Sequence, residues 1–142
     1  MNIKLHINQS DYLTNAYISE FTNHAIVEFE KINYDVNNKL AIIPLTRYRI
    51  EGGKKMLGLG EYPRNYNTPI QSSAIIRNIE NAEFTKADNC EDVKEITLIF
   101  GITINNNKIY FSSAEEASGK VCYESSFFGS NLILELEDIE GT

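Results

Sequence analysis

"ITINNNKIYF", residues 102–111, is the stretch whose reading decides the fold. Apolar and polar residues alternate on both sides of three consecutive asparagines, as in two half-buried strands around a turn. Asparagine tolerates positive φ better than any residue but glycine, so an Asn-Asn pair suits the centre of a type I′ turn. With Asn106 and Asn107 in the turn, Asn105 faces Lys108, Ile104 faces Ile109, Thr103 faces Tyr110 and Ile102 faces Phe111. Ile102, Ile104, Ile109 and Phe111 then share one side. A three-residue loop over 105–107 would split that set between two faces, so the two-residue turn is expected. The same chemistry recurs in "YDVNNKLAI" (34–42). With Asn37 and Asn38 in the turn, Val36 faces Lys39, Tyr34 faces Ala41 and Ile32 faces Ile43. Two such hairpins argue for an antiparallel β protein. Their flanks do not match over any longer period, so they are not an internal repeat.

Working outward, "SDYLTNAYISEF" (10–21) is the helix candidate. Ser10 or Asp11 can cap it, and Leu13, Tyr17 and Phe21 recur at helical spacing. "HAIVEFEKI" (24–32) alternates as a strand. "KLAIIPLTRYRI" (39–50) is a long β-type run in which Pro44 cannot donate to a ladder, so an edge, a bulge or a break is expected there. "EGGKKMLGLGEYPRNYNTP" (51–69) holds four of the eight glycines and two of the three prolines, which marks a long loop or a series of turns. "IQSSAIIRNIENAEF" (70–84) reads equally as helix or strand. "EITLIFGITI" (95–104) runs into the opening hairpin, and 121–128 and 131–139 supply the last strands. The expectation is a mainly β, minor α chain. It forms one domain over 1–142, an antiparallel β-sandwich or strongly twisted sheet of about seven or eight strands with one short N-terminal helix.

Composition bounds what such a domain does. A chain of 142 residues with 42% hydrophobic content can build a real core. No apolar run reaches the roughly 20 residues of a membrane helix. The start, "MNIKLHINQSDYL", has no uninterrupted apolar stretch with a small-residue cleavage site, so no signal peptide, no membrane association and a cytoplasmic location are expected. Cys90 and Cys122 stand at unrelated spacing, and in an unexported chain both are expected to be reduced, with a disulfide as the alternative that the spacing does not support. The net charge of −7 is uneven: residues 1–46 carry −2, residues 47–77 carry +4 and residues 78–142 carry −9. Such a chain repels nucleic acid and attracts a basic partner.

Catalytic and cofactor motifs fail one by one. "EGGKKM" (51–56) has Tyr48 where a phosphate loop needs its first glycine, and Lys55 in place of the Ser or Thr that holds magnesium. "GLGEYP" (58–63) places Pro63 where a dinucleotide fingerprint needs its third glycine. His6 and His24 are the only histidines, and neither has a second ligand at metal-binding spacing. "YESSFFGSN" (123–131) contains no nucleophile elbow. The chain is therefore read as a non-enzyme with no cofactor and no metal.

Surface character remains. Arg47, Tyr48, Arg49, Tyr62, Arg64 and Tyr66 lie in and around the glycine-rich loop, and Tyr and Arg are enriched at binding hot spots. Glu83, Asp88, Glu91, Asp92 and Glu95 form an acidic stretch that could steer a basic protein. This small, acidic, single-domain profile is similar to that of immunity proteins that neutralise bacterial toxin domains, including those of contact-dependent inhibition. The likeness is one of class and rests on no residue motif. It implies a toxin–antitoxin type of protein binding: an acidic face occluding the basic active site of a toxin domain, for instance a nuclease. The alternative is a β-sandwich ligand-binding or accessory domain that uses the 51–69 loop.

Overall fold

The computed structural model describes residues 2–48, 69–88, 90, 94–114 and 121–139. In chain order these form β1 (Asn2–His6), α1 (Tyr12–Thr22), β2 (Ile26–Glu28), β3 (Asn33–Asp35), β4 (Leu40–Tyr48), β5 (Pro69–Arg77), β6 (Asn81–Lys86), β7 (Glu95–Thr97), β8 (Ile99–Asn105), β9 (Lys108–Ala114), β10 (Val121–Phe128) and β11 (Ile133–Asp138). All pairings are antiparallel. Seven strands make one sheet in the order β1-β11-β5-β4-β2-β7, with β3 also on β4, and the other four make a second in the order β6-β10-β9-β8. The expected class, mainly β with one short helix, is what the chain adopts. The strand count is higher than expected because β1 went unread, 70–84 resolves into parts of two strands, and 95–104 breaks into β7 and β8.

The opening hairpin forms in the expected register, with Asn105 opposite Lys108, Ile104 opposite Ile109 and Thr103 opposite Tyr110. Asn106 takes a positive φ of 54° but Asn107 does not, so the turn is not the type I′ turn expected, which needs positive φ at both central residues. Ile102, Ile104, Ile109 and Phe111 are all buried. Further out the register shifts between Ile99 and Thr103, so Ile102 and Phe111 are not partners. Phe100 and Gly101 carry the irregularity, with φ of 61° and 62°. At Gly101 a Cβ would collide with the Ser19 carbonyl of α1 and with Asn23 N, just past its C-terminus, at 2.7 Å. The helix therefore sits directly on strand backbone there. Thr22 Oγ1 donates to Ile18 O at 2.8 Å and accepts the Ile102 amide at 2.7 Å, closing the contact. The Asp11 carboxylate caps α1 by accepting the Thr14 amide at 2.7 Å.

The second hairpin keeps its expected register, Tyr34 opposite Ala41, but its turn spans Val36–Lys39 and its last pair is Asp35 with Leu40. Asp35 widens it by accepting the Asn38 side-chain amide at 2.6 Å and the Asn38 backbone amide at 3.1 Å. Those same bonds hold the Asp35 carboxyl below the usual range. Ile32 does not reach a strand position, because a 3-10 turn at Phe29–Lys31 interrupts the 24–32 run. That interruption explains Pro44. β4 is neither an edge nor broken: β5 pairs along its whole length. On the other side β3 pairs at 40–42 and β2 at 45–46, and Pro44 falls in the gap. The missing donor lies where the 3-10 turn leaves β4 without a partner strand.

Both sheets feed one core. Ala41, Ile43, Leu45, Ala74, Ile76, Leu134 and Leu136 come from the larger sheet, and Ile102, Ile104, Ile109, Phe111 and Phe127 come from the smaller one. Aromatic rings join the sheets at one end: Tyr34 lies 6.2 Å from Phe127, and Phe29 lies 4.8 Å from Tyr123.

Candidate interaction surface

The structure divides the residues singled out from sequence. Arg47 is not on the surface. It lies on the inward face of β4 with Ala41, Ile43 and Leu45, and is 1% exposed. Its guanidinium grips Asp138 through Nε–Oδ1 at 2.9 Å and Nη2–Oδ2 at 2.7 Å. Ser72 Oγ donates to the same carboxylate at 2.6 Å, and the Phe21 ring lies 5.6 Å from the Arg47 Cζ. Burial pushes the Asp138 carboxyl up, but hydrogen bonds from Arg47 and Ser72 outweigh it and hold the group far below the ordinary carboxylate range. This buried ion pair ties α1, β4, β5 and β11 together, and Arg47 has no side chain to offer a partner. Tyr48 follows at the end of β4, half-buried on the opposite face. Arg49, Tyr62, Arg64 and Tyr66, with most of the 51–69 loop, lie outside the described residues.

The acidic stretch is also divided. Glu83 is exposed on β6 of the smaller sheet and Asp88 is exposed just beyond it. Glu95 belongs to β7 at the edge of the larger sheet, directly opposite Glu28 of β2, whose carboxylate meets Lys31 at 2.7 Å. Glu91 and Asp92 lie outside the described residues. One feature of that stretch overturns an expectation: Cys90 and Cys122 are joined in a disulfide, not reduced. Folding brings together two cysteines 32 residues apart, because the segment after β6 runs beside β10, with the Ala87 amide donating to Cys122 O at 2.8 Å. Sequence spacing carries no trace of that proximity.

The same hydrogen bond fixes the orientation of β6. Lys86 stands opposite Tyr123 in the ladder, so Ala87 and Cys122 form a hydrogen-bonded pair. Such pairs alternate along an antiparallel ladder. The backbone N–H and C=O of Ala82 and Phe84 therefore point away from β10. Among the described residues β6 pairs only with β10, so this strand is an edge. Five of its six residues are exposed, Ala82 being half-buried.

Beside that edge lies a cleft of ≈ 190 Å³ whose floor and walls include Phe29, Phe84, Lys86, Tyr123 and Ser125. Phe84 is 51% exposed at its mouth, and its ring reaches inward to Phe127 at 5.6 Å and Tyr34 at 6.0 Å. On the other face of the same strands stand Glu83 and, opposite Thr85, Glu124. An open strand edge, an aromatic cleft and two carboxylates thus meet at one place. Glu83 and Asp88 were legible as acidic surface. Phe84, Phe29 and Tyr123 were missed, because the segment holding Phe84 could not be assigned to helix or strand and its faces stayed undefined.

A second apolar surface lies on α1, where Tyr12, Leu13 and Tyr17 are 83%, 76% and 52% exposed. His6 and His24 are both exposed, and with both cysteines bonded to each other neither thiol is available as a nucleophile. Among the described residues no helix is long and apolar enough to cross a membrane, and no three His, Cys, Asp or Glu side chains converge as a metal site. Compared with known proteins, the chain matches no family model, no curated protein and no solved structure.

Proposed function

We propose that this chain is a stoichiometric protein-binding module of the immunity type, which occupies and blocks the basic active site of a bacterial toxin domain. The observation that supports the reading is the β6 side of the molecule. There a half-exposed phenylalanine stands at an aromatic cleft, Glu83 and Glu124 belong to the same two strands, and Asp88 is exposed just beyond β6. Apolar anchors rimmed by charge are the anatomy of protein-binding surfaces, and carboxylates around them speed the approach of a basic partner. Net charge of −7 adds long-range attraction of the same sign. The mechanism needs no covalent step. The anchors hold the complex and the carboxylates stand where the toxin's phosphate-binding groups would meet substrate.

The disulfide bears on where this happens. Disulfides persist in oxidising compartments, so we place the encounter outside the reducing cytosol, in contrast to the cytoplasmic location expected from the sequence. The test is co-expression in bacteria with the C-terminal domain of the product of the adjacent gene, both proteins being directed to the cytosol or, with a leader, to the periplasm. Growth rescue together with co-purification in one-to-one ratio is the expected result. A toxic neighbour that is neither bound nor neutralised in either compartment would refute the proposal.

A further inference from the structure

Strand edges invite pairing, and folded proteins usually blunt them. Among the described residues the other edge strands are short, as the three-residue β3 is, or covered or charged. α1 covers β8, with Ser19 Oγ donating to Phe100 O and Thr22 accepting the Ile102 amide. β7 is three residues long. β1 carries Lys4 and His6 on its exposed face. β6 also exposes charge, at Glu83 and Lys86, but it is six residues long with no proline, no bulge against β10, and an exposed aromatic in its middle.

We propose that the edge of β6 receives an extended segment of the partner protein as an added strand, with an apolar side chain of that segment entering the Phe29–Phe84–Tyr123 cleft. The proposal rests on the protein-binding reading above and names its mode. A strand laid on β6 would run about 4.8 Å from it. It would hydrogen-bond to the outward amides and carbonyls of Ala82 and Phe84. Its side chains alternate between two faces. Those on the inward face arrive beside Phe84, at a cleft of ≈ 190 Å³, comparable with one large apolar side chain. Those on the outward face arrive beside Glu83, next to Glu124 on the neighbouring strand. The segment it selects therefore alternates apolar and basic residues. Main-chain bonds supply affinity, while the cleft and the carboxylates supply register.

The experiment uses the whole oxidised chain and a synthetic hexapeptide alternating lysine and leucine, capped at both ends. A version N-methylated at every second residue, on the bonding edge, serves as control. Binding and amide hydrogen exchange are followed by NMR. The expected result is that the Ala82 and Phe84 amides exchange fast in the free protein and slow at least roughly tenfold with peptide, but not with the control. Ala82→Pro removes an outward donor without touching the β6–β10 ladder. It should keep the melting temperature and weaken peptide binding roughly tenfold or more, and Glu83→Lys should weaken it independently. The proposal falls if the peptide does not bind, if it binds without protecting those amides, or if both variants bind as the native chain does. In the co-expression assay, a native chain that rescues alongside two variants that also rescue would overturn the β6 edge and leave the immunity reading standing. No rescue by the native chain would remove the immunity reading and leave the peptide result to decide the edge alone.

Discussion

Replacing Arg47 by methionine tests whether this arginine is structural. The side chain is 1% exposed and makes two charge-assisted hydrogen bonds, at 2.9 Å and 2.7 Å, to Asp138. Methionine fills much of the same volume but deprives the carboxylate of its guanidinium partner, while the bond from Ser72 Oγ at 2.6 Å stays. Breaking a buried pair from one side costs about 3–5 kcal/mol, because the surviving charge stays desolvated. The Asp138 side chain keeps 16% of its exposure, so water relieves part of that cost and the lower end applies. Loss of the Phe21 contact at 5.6 Å adds about 0.5 kcal/mol. The expected loss is about 3 kcal/mol, or roughly 10 °C in Tm for a chain of this size. Asp138→Leu alone should cost a similar amount by taking the carboxylate away from the buried guanidinium. The double variant Arg47→Met with Asp138→Leu strands neither member of the pair and leaves the Ser72 hydroxyl without its acceptor, at about 1 kcal/mol. It should therefore be more stable than either single variant. Urea unfolding of the four proteins closes the cycle. Losses that simply add, or an Arg47→Met variant within 1 kcal/mol of native, about the scale of an exposed pair, would refute the buried-pair account. They would return Arg47 to the list of surface residues.

The Asp138 carboxyl, held below its ordinary range, stabilises the fold fully above pH ~4 and progressively less as pH falls through that value. The stability gap between native and Asp138→Asn proteins should accordingly shrink from pH 5 to pH 2 in urea titrations, and a gap that widened would reverse the sign of the argument. Reducing the Cys90–Cys122 bond frees a loop spanning 32 residues. On chain-entropy grounds, stability measured with and without dithiothreitol should differ by about 3–4 kcal/mol. Thr22→Val keeps the shape but leaves the Ile102 amide, now bonded at 2.7 Å, without an acceptor. The expected loss is about 1–3 kcal/mol in chemical denaturation, and no loss would mean that α1 is not seated through this contact. Gly101→Ala places a methyl group against the α1 backbone at a φ of +62°, which should cost about 3 kcal/mol or more or prevent folding in a thermal melt.

What the sequence disclosed and what it withheld follow from one distinction, between local parity and long-range proximity. The two Asn-Asn hairpins were legible because alternation and turn chemistry act within ten residues. Near the turns their registers hold in the structure, Ile104 opposite Ile109 and Tyr34 opposite Ala41, and they fail further out, where Ile102 does not pair with Phe111. Arg47 was misplaced although the same rule applied to it. Ala41, Ile43, Leu45 and Arg47 share a parity, and three of the four are plainly core residues, so β4 itself directs the arginine inward. Proximity to a glycine-rich basic loop outweighed the alternation, and nothing local announced that Asp138 would wait 91 residues away to receive it. The disulfide and the β6 surface belong to the same second kind. Cys90 meets Cys122 and Phe84 lies near Tyr123 only because β6 and the segment after it run beside β10, and Phe29 joins that cleft only because the two sheets pack together. This is also why the acidic stretch did not survive as one face. Glu83 and Glu95 lie close in sequence, but β6 and β7 belong to different sheets. The carboxylate that joins Glu83 is instead Glu124, from β10. Any partner that reads charge on this protein therefore reads it across neighbouring strands, and reversing Glu83 and Glu124 together should slow association at low salt more than reversing Glu83 and Glu95.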